Sequence, residues 1–223
     1  MKILAIDTAT TVCGLAVAEG GRLLAEYRLV RGNIHNERLV GAIEPLLDDL
    51  SWTLEQVDGF AVSIGPGSFT GLRIGLAVAS GLAFSLGKPL AAVNTLDAFA
   101  SGVDFWPGQV CVALAARASE VYAAVYENAE MLERKSDYLL IRTEELAELV
   151  HENTLLVSSP IGLEKELALR CGKIAPAHYS ISSAANVARL GLGNFEQGND
   201  VELNSLEPFY LKDFVPKQKK QRE

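Results

Sequence analysis

Short apolar runs separated by polar turns fill the first 30 residues and predict strands. Residues 2–7 (KILAID) are typical of a buried strand, and residues 12–18 (VCGLAVA) follow after the polar break TATT. Residues 22–30 mix apolar and charged positions, as a strand at the outside of a sheet does. A Gly-Gly pair precedes this third run. The pattern therefore predicts an antiparallel meander that opens a sheet.

Two segments with helical periodicity flank the next predicted strand, residues 57–64. In residues 35–50 the leucines and the isoleucine fall on one face, and Pro45 predicts a kink or a break there. Residues 69–86 predict a second helix that is apolar on nearly every side, which is typical of a helix covered on two sides. Gly87 ends this helix, and the Lys-Pro pair after it prevents its continuation.

The second half of the chain repeats this order of elements without a detectable sequence repeat. The first half ends with LAAV, which predicts a strand, and TLDAFAS, which predicts a helix capped by Thr95. The second half begins with predicted strands over 109–116, 120–127 and 131–141. A helix over 143–150 capped by Thr143, a strand TLLVSS and an amphipathic helix SSAANVARLGLGNFEQG follow. We place a domain boundary in GVDFWPG, so the predicted units are residues 1–102 and 103–223.

Composition narrows the class of protein. Of the 223 residues 49% are hydrophobic, which is enough for a real core, and the net charge of −8 disfavours non-specific binding to nucleic acid. The three cysteines lack metal-ligand spacing, and we expect buried free thiols. The N-terminus has no signal-peptide pattern, and the apolar stretch 74–86 is too short to span a bilayer. We therefore expect a cytoplasmic protein with no membrane contact.

The stretch SIGPGSFTGLRIG links a strand to the helix 69–86 through a glycine loop. Amides at Gly65, Gly67, Ser68 and Thr70 could bind phosphate at the start of that helix. The spacing GxGxxxG differs from the dinucleotide fingerprint GxGxxG, and no Gly-Lys-Ser/Thr follows. In the alternative interpretation the glycines make the turn and Ser68 or Thr70 caps the helix.

A second candidate cofactor site is Asp7 with Thr8 and Thr10, in the turn after the first strand. An aspartate there could hold a magnesium ion through water while the turn amides bind phosphate. An Asx or Ser/Thr turn explains the same residues equally well. A two-lobed nucleotide cleft takes a second carboxylate from the matching hairpin of the second half, where this chain has the sequence from Ala115 to Ser119 without an acid. The second half-site is thus predicted to be disabled, and we expect no bound nucleotide.

Histidines and serines give no catalytic pattern. His35, His151 and His178 are isolated, and a helical metal pair would need a second histidine where this chain has Leu39. Ser68 has no histidine and aspartate partners in pattern. We therefore predict no catalytic residue and no metal ligand.

Several blocks of the chain together resemble one known family, TsaB, also called YeaZ. The blocks are MKILAIDTAT, HNERLVGAI, GPGSFTGLRIGLAVASGLA, EVYAAVY, NVARLG and PFYLK, which occur in the family's order over essentially the whole chain. GPGSFTGLRIG is the most specific of them. The resemblance implies an α/β protein of the actin-like, hexokinase-like ATPase (ASKHA) fold, with two related lobes of mixed sheets flanked by helices.

The resemblance also implies a role. A TsaB protein is a non-catalytic subunit of the machinery that makes threonylcarbamoyladenosine in tRNA; it associates with TsaD and, through that complex, with TsaE. ATP and metal are then expected on the partner subunit, and tRNA is expected to be contacted mainly through the complex. Without its partner, the chain could form a homodimer. The family's second-lobe hairpin is close to Asp-Ala-Arg-x-Gly-Glu-Val-Tyr, whereas this chain has Ala115 and Ser119 in place of the acid and the glycine.

The family's dimer face corresponds to the helices 35–50 and 69–86. In the second of these, small residues recur every four positions and allow another helix to come close. The predicted interface residues are His35, Leu39, Ile43, Leu47, Gly71, Leu72, Gly75, Leu76, Ala79 and Leu82.

Two other functions stay open on the sequence. One is a nucleotide-dependent phosphotransferase or a peptidase-like enzyme of the same fold, which would bind a ligand near Asp7. The other is direct contact with RNA by the basic C-terminal tail from Lys217 to Arg222, although such a tail is more often a frayed, solvated end.

Overall fold

A computed structural model describes residues 1–30, 38–117, 119–159, 162 and 164–211. Two mixed sheets form the frame of the chain. The strands are β1 Lys2–Asp7, β2 Val12–Glu19, β3 Arg22–Val30, β4 Gly59–Gly65, β5 Leu90–Asn94, β6 Gly108–Ala115, β7 Glu120–Asn128, β8 Leu132–Arg134, β9 Leu139–Arg142, β10 Leu155–Ser158 and β11 Lys173–Ile174. The first sheet has the strand order β3-β2-β1-β4-β5, and the second has the order β11-β10-β6-β7-β8. Strand β9 also belongs to the second sheet, where it pairs with β7.

Five α-helices are described around the sheets, with short 3-10 turns between elements. The α-helices are α1 Ile43–Asp48, α2 Phe69–Leu86, α3 Thr95–Ser101, α4 Glu164–Leu167 and α5 Ala184–Glu196. The 3-10 turns are Val40–Ala42, Leu54–Gln56, Thr143–Glu148, Ala177–Ser180 and Leu203–Ser205.

The two sheets share one topology, which explains the repeated order of elements. In each, the central strand (β1 or β6) pairs antiparallel with the strand after it, and on its other side it begins a parallel series, β1-β4-β5 or β6-β10-β11. The predicted boundary at residue 102 separates the strands of the two sheets. Helix α5 nevertheless packs from the second half onto β1, β2, β4 and β5 of the first sheet. The division into 1–102 and 103–223 stays a prediction.

Strand β1 lies in the middle of the first sheet and is buried on both faces, and this explains why KILAID is a continuous apolar run. Leu4 and Ile6 point to the side that α1 and α2 cover, and Ile3 and Ala5 point to the side that α5 covers. The approach of α5 is close, because a Cβ on its Gly191 would lie 2.5 Å from the Cβ of Ala61.

Helix α2 begins and ends as the sequence predicts. Ser68 is its N-cap and accepts a hydrogen bond from the Gly71 amide at 3.2 Å, and Gly87 takes the left-handed conformation at φ 62° after it. The helix is longer than the apolar stretch 74–86. Within the described residues it is the one helix that is long and apolar enough to cross a membrane. Its Gly71 and Leu72 side is buried against the chain, as in the core helix of a globular protein.

Local predictions were wrong where a cap or a turn decides the boundary. Asn94, and not Thr95, caps α3, because its side chain accepts from the Leu96 amide at 2.8 Å. The predicted helix over 143–150 is a 3-10 turn that Arg142 precedes, since Thr143 bonds to the Ser119 carbonyl instead. The predicted strand 131–141 is two strands, β8 and β9, with a break at Lys135 to Tyr138.

Pro45 has the predicted effect on the helix 35–50, whose residues 35–37 lie outside the described ranges. The described part is a 3-10 turn followed by the short helix α1. Pro45 lies in the first turn of α1. Backbone N–H groups in a first turn have no intrahelical acceptor, so a proline, which has no N–H, costs the helix no hydrogen bond there. The three cysteines are buried free thiols, as predicted, and burial raises the pKa of Cys111 to about 12.

Candidate functional site

The glycine loop and the turn after β1 form one junction, held by hydrogen bonds between the two. The Ser68 amide donates to the Ala9 carbonyl at 2.7 Å, and the Thr8 hydroxyl donates to the Gly71 carbonyl at 2.8 Å. We call these two segments, residues 7–10 and 65–71, the first-turn junction. The two segments are 55 or more positions apart in sequence, so their pairing fixes the start of α2 against the first sheet.

Glycines at the junction make room for the backbone of the first turn. A Cβ on Gly67 would lie 2.1 Å from the Ala9 carbonyl oxygen, and a Cβ on Gly71 would lie 2.1 Å from that of Thr8. One turn further along α2, a Cβ on Gly75 would lie 2.2 Å from the Thr8 hydroxyl. The row of small residues on α2 therefore admits the chain's own first turn.

Asp7 closes that turn from inside the protein. Its carboxylate accepts hydrogen bonds from the Ser63 hydroxyl at 2.7 Å and from the Ala9 amide at 3.1 Å. The residue is only 1% exposed. This is the geometry of an Asx turn with a further link to β4, and it gives a ligand no direct access to the carboxylate.

The other candidate cofactor residues are also used within the chain. Thr8 is fully buried, and the Thr10 hydroxyl lies 3.0 Å from that of Ser182 and accepts from the Val12 amide at 3.2 Å. The Ser68 amide, a potential phosphate donor of the glycine loop, is already bonded to Ala9. The arrangement favours the turn-and-cap interpretation of the loop over a phosphate cradle.

The second lobe carries the matching turn after β6. Ala115 is the last residue of β6, as Asp7 is of β1, so the second half has no carboxylate at the equivalent place. The Ser159 hydroxyl accepts from the Ala115 amide at 2.7 Å, and the Ser119 carbonyl accepts from the Thr143 amide at 2.7 Å. Ala118 lies outside the described residues. This turn is tied to its own lobe by serine and threonine contacts.

The predicted interface residues require a correction. Eight of them are buried in the chain, and Leu82 is half-buried. The eight are Leu39, Ile43, Leu47, Gly71, Leu72, Gly75, Leu76 and Ala79. The prediction chose the face that packs inward, because a helix that is apolar nearly all round has no periodic signal to separate its two sides. His35 lies outside the described residues.

A different face of α2 is open to solvent. Ala77, Gly81 and Phe84 are exposed and follow one another at spacings of four and three, which puts them on one side of the helix. Phe84 is 79% exposed, and Val40, in the turn before α1, is 60% exposed. We call Ala77, Gly81 and Phe84 the outer stripe of α2.

Among the described residues there is no group of three or more histidine, cysteine or acidic side chains placed so that it could hold a metal ion. His151 bonds to Gln109 at 2.9 Å between ring nitrogen and amide oxygen, and the His178 ring packs against that of Tyr179 at 4.2 Å with 41° between their planes. Ser68 serves as the cap of α2.

Sequence reasoning missed a polar cluster between the lobes. Asp97 on α3 accepts from the hydroxyl of Tyr126 at 2.8 Å and from that of Tyr138 at 2.6 Å. Burial, followed by the nearby Asp97 charge, raises the pKa of Tyr126 above its ordinary value; burial and the Asp97 hydrogen bond raise that of Tyr138. Asp97 and Tyr126 also line a cavity of about 500 Å³.

A second link between the halves joins α5 to the connection after α3. The Arg189 guanidinium contacts Asp104 at 2.5 Å and also donates to the Ser101 carbonyl. Arg189 belongs to the block NVARLG and Tyr126 to the block EVYAAVY, so the blocks marked these residues although periodicity gave them no role.

Comparison with known proteins bears directly on this arrangement. Over 233 aligned positions the chain is 31% identical to the tRNA threonylcarbamoyladenosine biosynthesis protein TsaB of Escherichia coli, and the alignment covers 96% of each protein. The chain belongs to the TsaB family. Residues 31–193 of this TsaB-family chain also match the family model of TsaD, tRNA N6-adenosine threonylcarbamoyltransferase.

Solved structures confirm the predicted fold class. YeaZ from Pseudomonas aeruginosa superposes with a TM-score of 0.83 at 28% identity, over 94% of this chain and 99% of that one. A more distant structure shares the fold alone: the activator of the 2-hydroxyisocaproyl-CoA dehydratase from Clostridium difficile, solved with bound ADPNP. It superposes with a TM-score of 0.54 at 11% identity, over 89% of this chain and 97% of that one. The TsaB-family chain thus has the actin-like, hexokinase-like ATPase fold with two related lobes.

Proposed function

We propose that this chain is a non-catalytic subunit of the machinery that makes threonylcarbamoyladenosine in tRNA, and that it binds TsaD through the outer faces of α1 and α2. On this proposal TsaE and tRNA are reached through the complex, ATP and metal are held by the partner, and the complex works in the cytoplasm. Membership of the TsaB family supports the pathway, since the Escherichia coli relative is named for that biosynthesis.

The main support for the proposed binding to TsaD is the outer stripe of α2. Phe84 leaves 79% of its surface in water on a helix that already buries its opposite side in the core. An exposed aromatic on a rigid helix is the kind of residue that anchors a protein interface. The match of residues 31–193 to the TsaD model supports a partner of related fold, because two similar surfaces pair readily. The same stripe would allow a homodimer when the partner is absent.

The closed first-turn junction supports the non-catalytic part. A bound nucleotide would have to displace the Ser63 and Ala9 contacts of Asp7 and the Ala9 contact of the Ser68 amide. We expect calorimetry of the isolated chain with ATP and magnesium to give no saturable heat. Saturable binding that Asp7→Ala abolishes would favour the phosphotransferase alternative instead.

Paired substitutions on α2 test the docking surface. The double variant Ala77→Arg and Phe84→Asp keeps the buried side of α2 intact, so the chain should fold with unchanged thermal stability. It should lose co-purification with TsaD and fail to restore threonylcarbamoyladenosine to tRNA in cells that lack the wild-type chain.

Leu169→Asp is the matched control, because Leu169 is 88% exposed and lies on the other lobe. This control should behave as the wild type in both measurements. A folded Ala77→Arg and Phe84→Asp variant that still co-purifies with TsaD would show that the outer stripe is not the docking surface.

A further inference from the structure

The residues after α5 cross the first sheet and end in a contact with the second lobe. The Val201 amide donates to the Leu90 carbonyl of β5 at 2.9 Å, and β5 is an edge strand of the first sheet. Leu203 and Leu206 then pack on the core on the side of α1 and α2, whereas α5 covers the opposite face of that sheet. The chain therefore passes around the edge of β5. We call residues 201–211 the strap.

Phe209 contacts both lobes. On the side of the first lobe its amide donates to the Ile64 carbonyl of β4 at 2.8 Å, and a Cβ on Gly65 would lie 2.6 Å from its carbonyl oxygen. On the side of the second lobe its ring meets the Tyr138 ring edge-on, with the ring centres 5.3 Å apart. Phe209 is therefore held by backbone contacts in one lobe and by a ring contact in the other.

Tyr138 is itself held in place from three directions. Its hydroxyl donates to Asp97 on α3 at 2.6 Å, and the Asp97 carboxylate also accepts from the Tyr126 hydroxyl at 2.8 Å. The Arg134 guanidinium carbon lies 4.1 Å from the centre of the Tyr138 ring. The ring that Phe209 meets thus has a fixed position, and little conformational entropy is lost when the two rings come together.

The next residue of the strap makes its ring contact within the first lobe. The Tyr210 ring stacks on that of Phe69, the first residue of α2, at 5.5 Å with 25° between their planes. The Arg73 guanidinium carbon, one turn further along α2, lies 3.9 Å from the centre of the Phe69 ring. Tyr210 therefore offers a matched control for Phe209, because it is an aromatic residue of the same segment whose ring contact does not join the lobes.

The strap ends at the carboxyl edge of the first sheet. Asp7, Gly65 and Asn94 are the last residues of the parallel strands β1, β4 and β5, and Phe209 bonds to the middle strand of the three. In open α/β sheets this edge faces the crevice in which ligands bind. In this chain a segment of the protein itself lies there.

The strap is attached by contacts of moderate strength. Val201, Leu203, Leu206 and Phe209 are only half-buried, and the residues between them are mostly exposed, so the strap lies on the surface of the first lobe. Two lobes joined by a modest, partly polar interface move relative to each other unless a further contact holds them. A half-buried segment that contacts both lobes can supply that contact and can also release it.

We propose that the strap is a latch between the two lobes and that Phe209 is the residue that keeps it closed. With Phe209 in place the lobes have one relative orientation, and α2 with its outer stripe has a fixed position relative to the second lobe. When Phe209 leaves, its contacts with β4 and Tyr138 are lost together and the lobes move apart. The block PFYLK thereby has a role in this chain, whereas the basic tail from Lys217 to Arg222 lies outside the described residues.

The inference goes beyond the proposed function, because it concerns the isolated chain and needs no partner. Its test measures the distance between the lobes by pulsed electron paramagnetic resonance, with spin labels on Leu23→Cys in β3 and Glu133→Cys in β8. Both positions are exposed. An excess of unlabelled chain restricts the signal to distances within one molecule. The native cysteines are buried, and a sample without the introduced pair measures their labelling.

The wild-type chain should give one narrow distribution of distances. Phe209→Ala should broaden it or shift it to longer distances, and amide exchange in the strap, followed by mass spectrometry, should become about tenfold faster, as expected for loss of one aromatic pair. Tyr138→Ala should have the same effect, and Tyr138→Phe, which keeps the ring, should stay closed. Tyr210→Ala should leave the distance distribution as narrow as in the wild type.

An unchanged distance distribution in Phe209→Ala would overturn the latch. Equal opening by Tyr210→Ala would overturn it as well, since the effect would then belong to the packing of the whole strap and not to the contact between lobes. If circular dichroism shows that Phe209→Ala does not fold, Phe209→Leu decides, because leucine keeps apolar packing without the ring pair. A broadened distribution in Phe209→Leu supports the latch, and an unchanged one overturns it.

Discussion

The two faces of α2 use glycine in opposite ways. On the inner face Gly71 and Gly75 admit the first turn, and a Cβ on either would lie within 2.2 Å of Thr8. On the outer stripe Gly81 has nothing within 4 Å of the place a Cβ would take. The inner glycines are therefore required by a contact inside the chain, whereas Gly81 keeps a solvent-facing surface shallow.

This difference shows which face of α2 is already covered by the rest of the chain. The inner face is closed by residues 7–10, which arrive from the far end of β1. The outer stripe has no such cover among the described residues and ends in the exposed ring of Phe84. A partner can thus add to one face only, and substitutions on the two faces should have effects of different size and sign.

Gly71→Ala should break the inner face and have the largest effect. The new methyl group would meet the Thr8 carbonyl oxygen at 2.1 Å, and a backbone atom cannot move aside cheaply. We expect a loss of about 3 kcal/mol in the free energy of unfolding, at the upper end of overpacking costs. Urea denaturation followed by circular dichroism measures it. A loss below the value for Ser68→Ala would contradict the close contact.

Asp7→Ala should have the next largest effect, because it removes the acceptor that holds the first turn in place. The buried Ser63 hydroxyl and the Ala9 amide would each lose a partner. The expected loss is about 2 kcal/mol, the cost of leaving buried polar groups unpaired. Asp7→Asn retains an acceptor oxygen and should recover part of this loss in the same denaturation experiment. Equal stabilities of the two variants would rule out the hydrogen-bond explanation.

Ser68→Ala tests the start of the helix, which both faces share. Its hydroxyl accepts from the Gly71 amide at 3.2 Å, and its loss should cost about 1 kcal/mol. Ser68→Asp keeps a capping acceptor and is the control that should stay close to the wild type. The comparison fails if Ser68→Ala and Ser68→Asp unfold at the same urea concentration.

Gly81→Ala should have the smallest effect and the opposite sign. The site is helical, exposed and empty, so the substitution should stabilise the chain by about 0.5–1 kcal/mol through helix propensity. The measurement is again urea denaturation, read against Gly71→Ala. A destabilised Gly81→Ala variant would mean that something covers the outer stripe in the isolated protein, and a self-associated state would then be visible by sedimentation.

The sequence predicted the elements of α2 better than its faces. Alternation and apolar runs placed β1, β4 and α2 within a few residues, because strands and long helices follow the period of their apolar positions. The row at Gly71 and Gly75 predicted the close approach of another helix, whereas the structure brings the turn after β1 to these glycines. It could not say whether the approaching group came from the same chain, because a spacing of four describes one helix and contains no information about its neighbour.

The site depended on contacts between distant segments, which periodicity does not encode. Asp7 and Ser63 are 56 positions apart, and Asp97 meets Tyr138 over 41. The Asx-turn alternative for Asp7 was available from local chemistry and is the geometry observed. The cap of α3 was misplaced by one residue, because Asn94 and Thr95 are both good capping residues and only the backbone conformation separates them.

The placement of α5 over the first sheet has a consequence for the nascent chain during translation. Ile3 and Ala5 lie on β1, yet the helix that covers them is translated about 100 residues after β5 is complete. At about 5 to 20 residues per second, that apolar face stays bare for about 5 to 20 s in each round of translation. Nascent chains stalled before residue 184 should therefore be clients for chaperones and proteases, whereas the finished chain covers the same surface with α5.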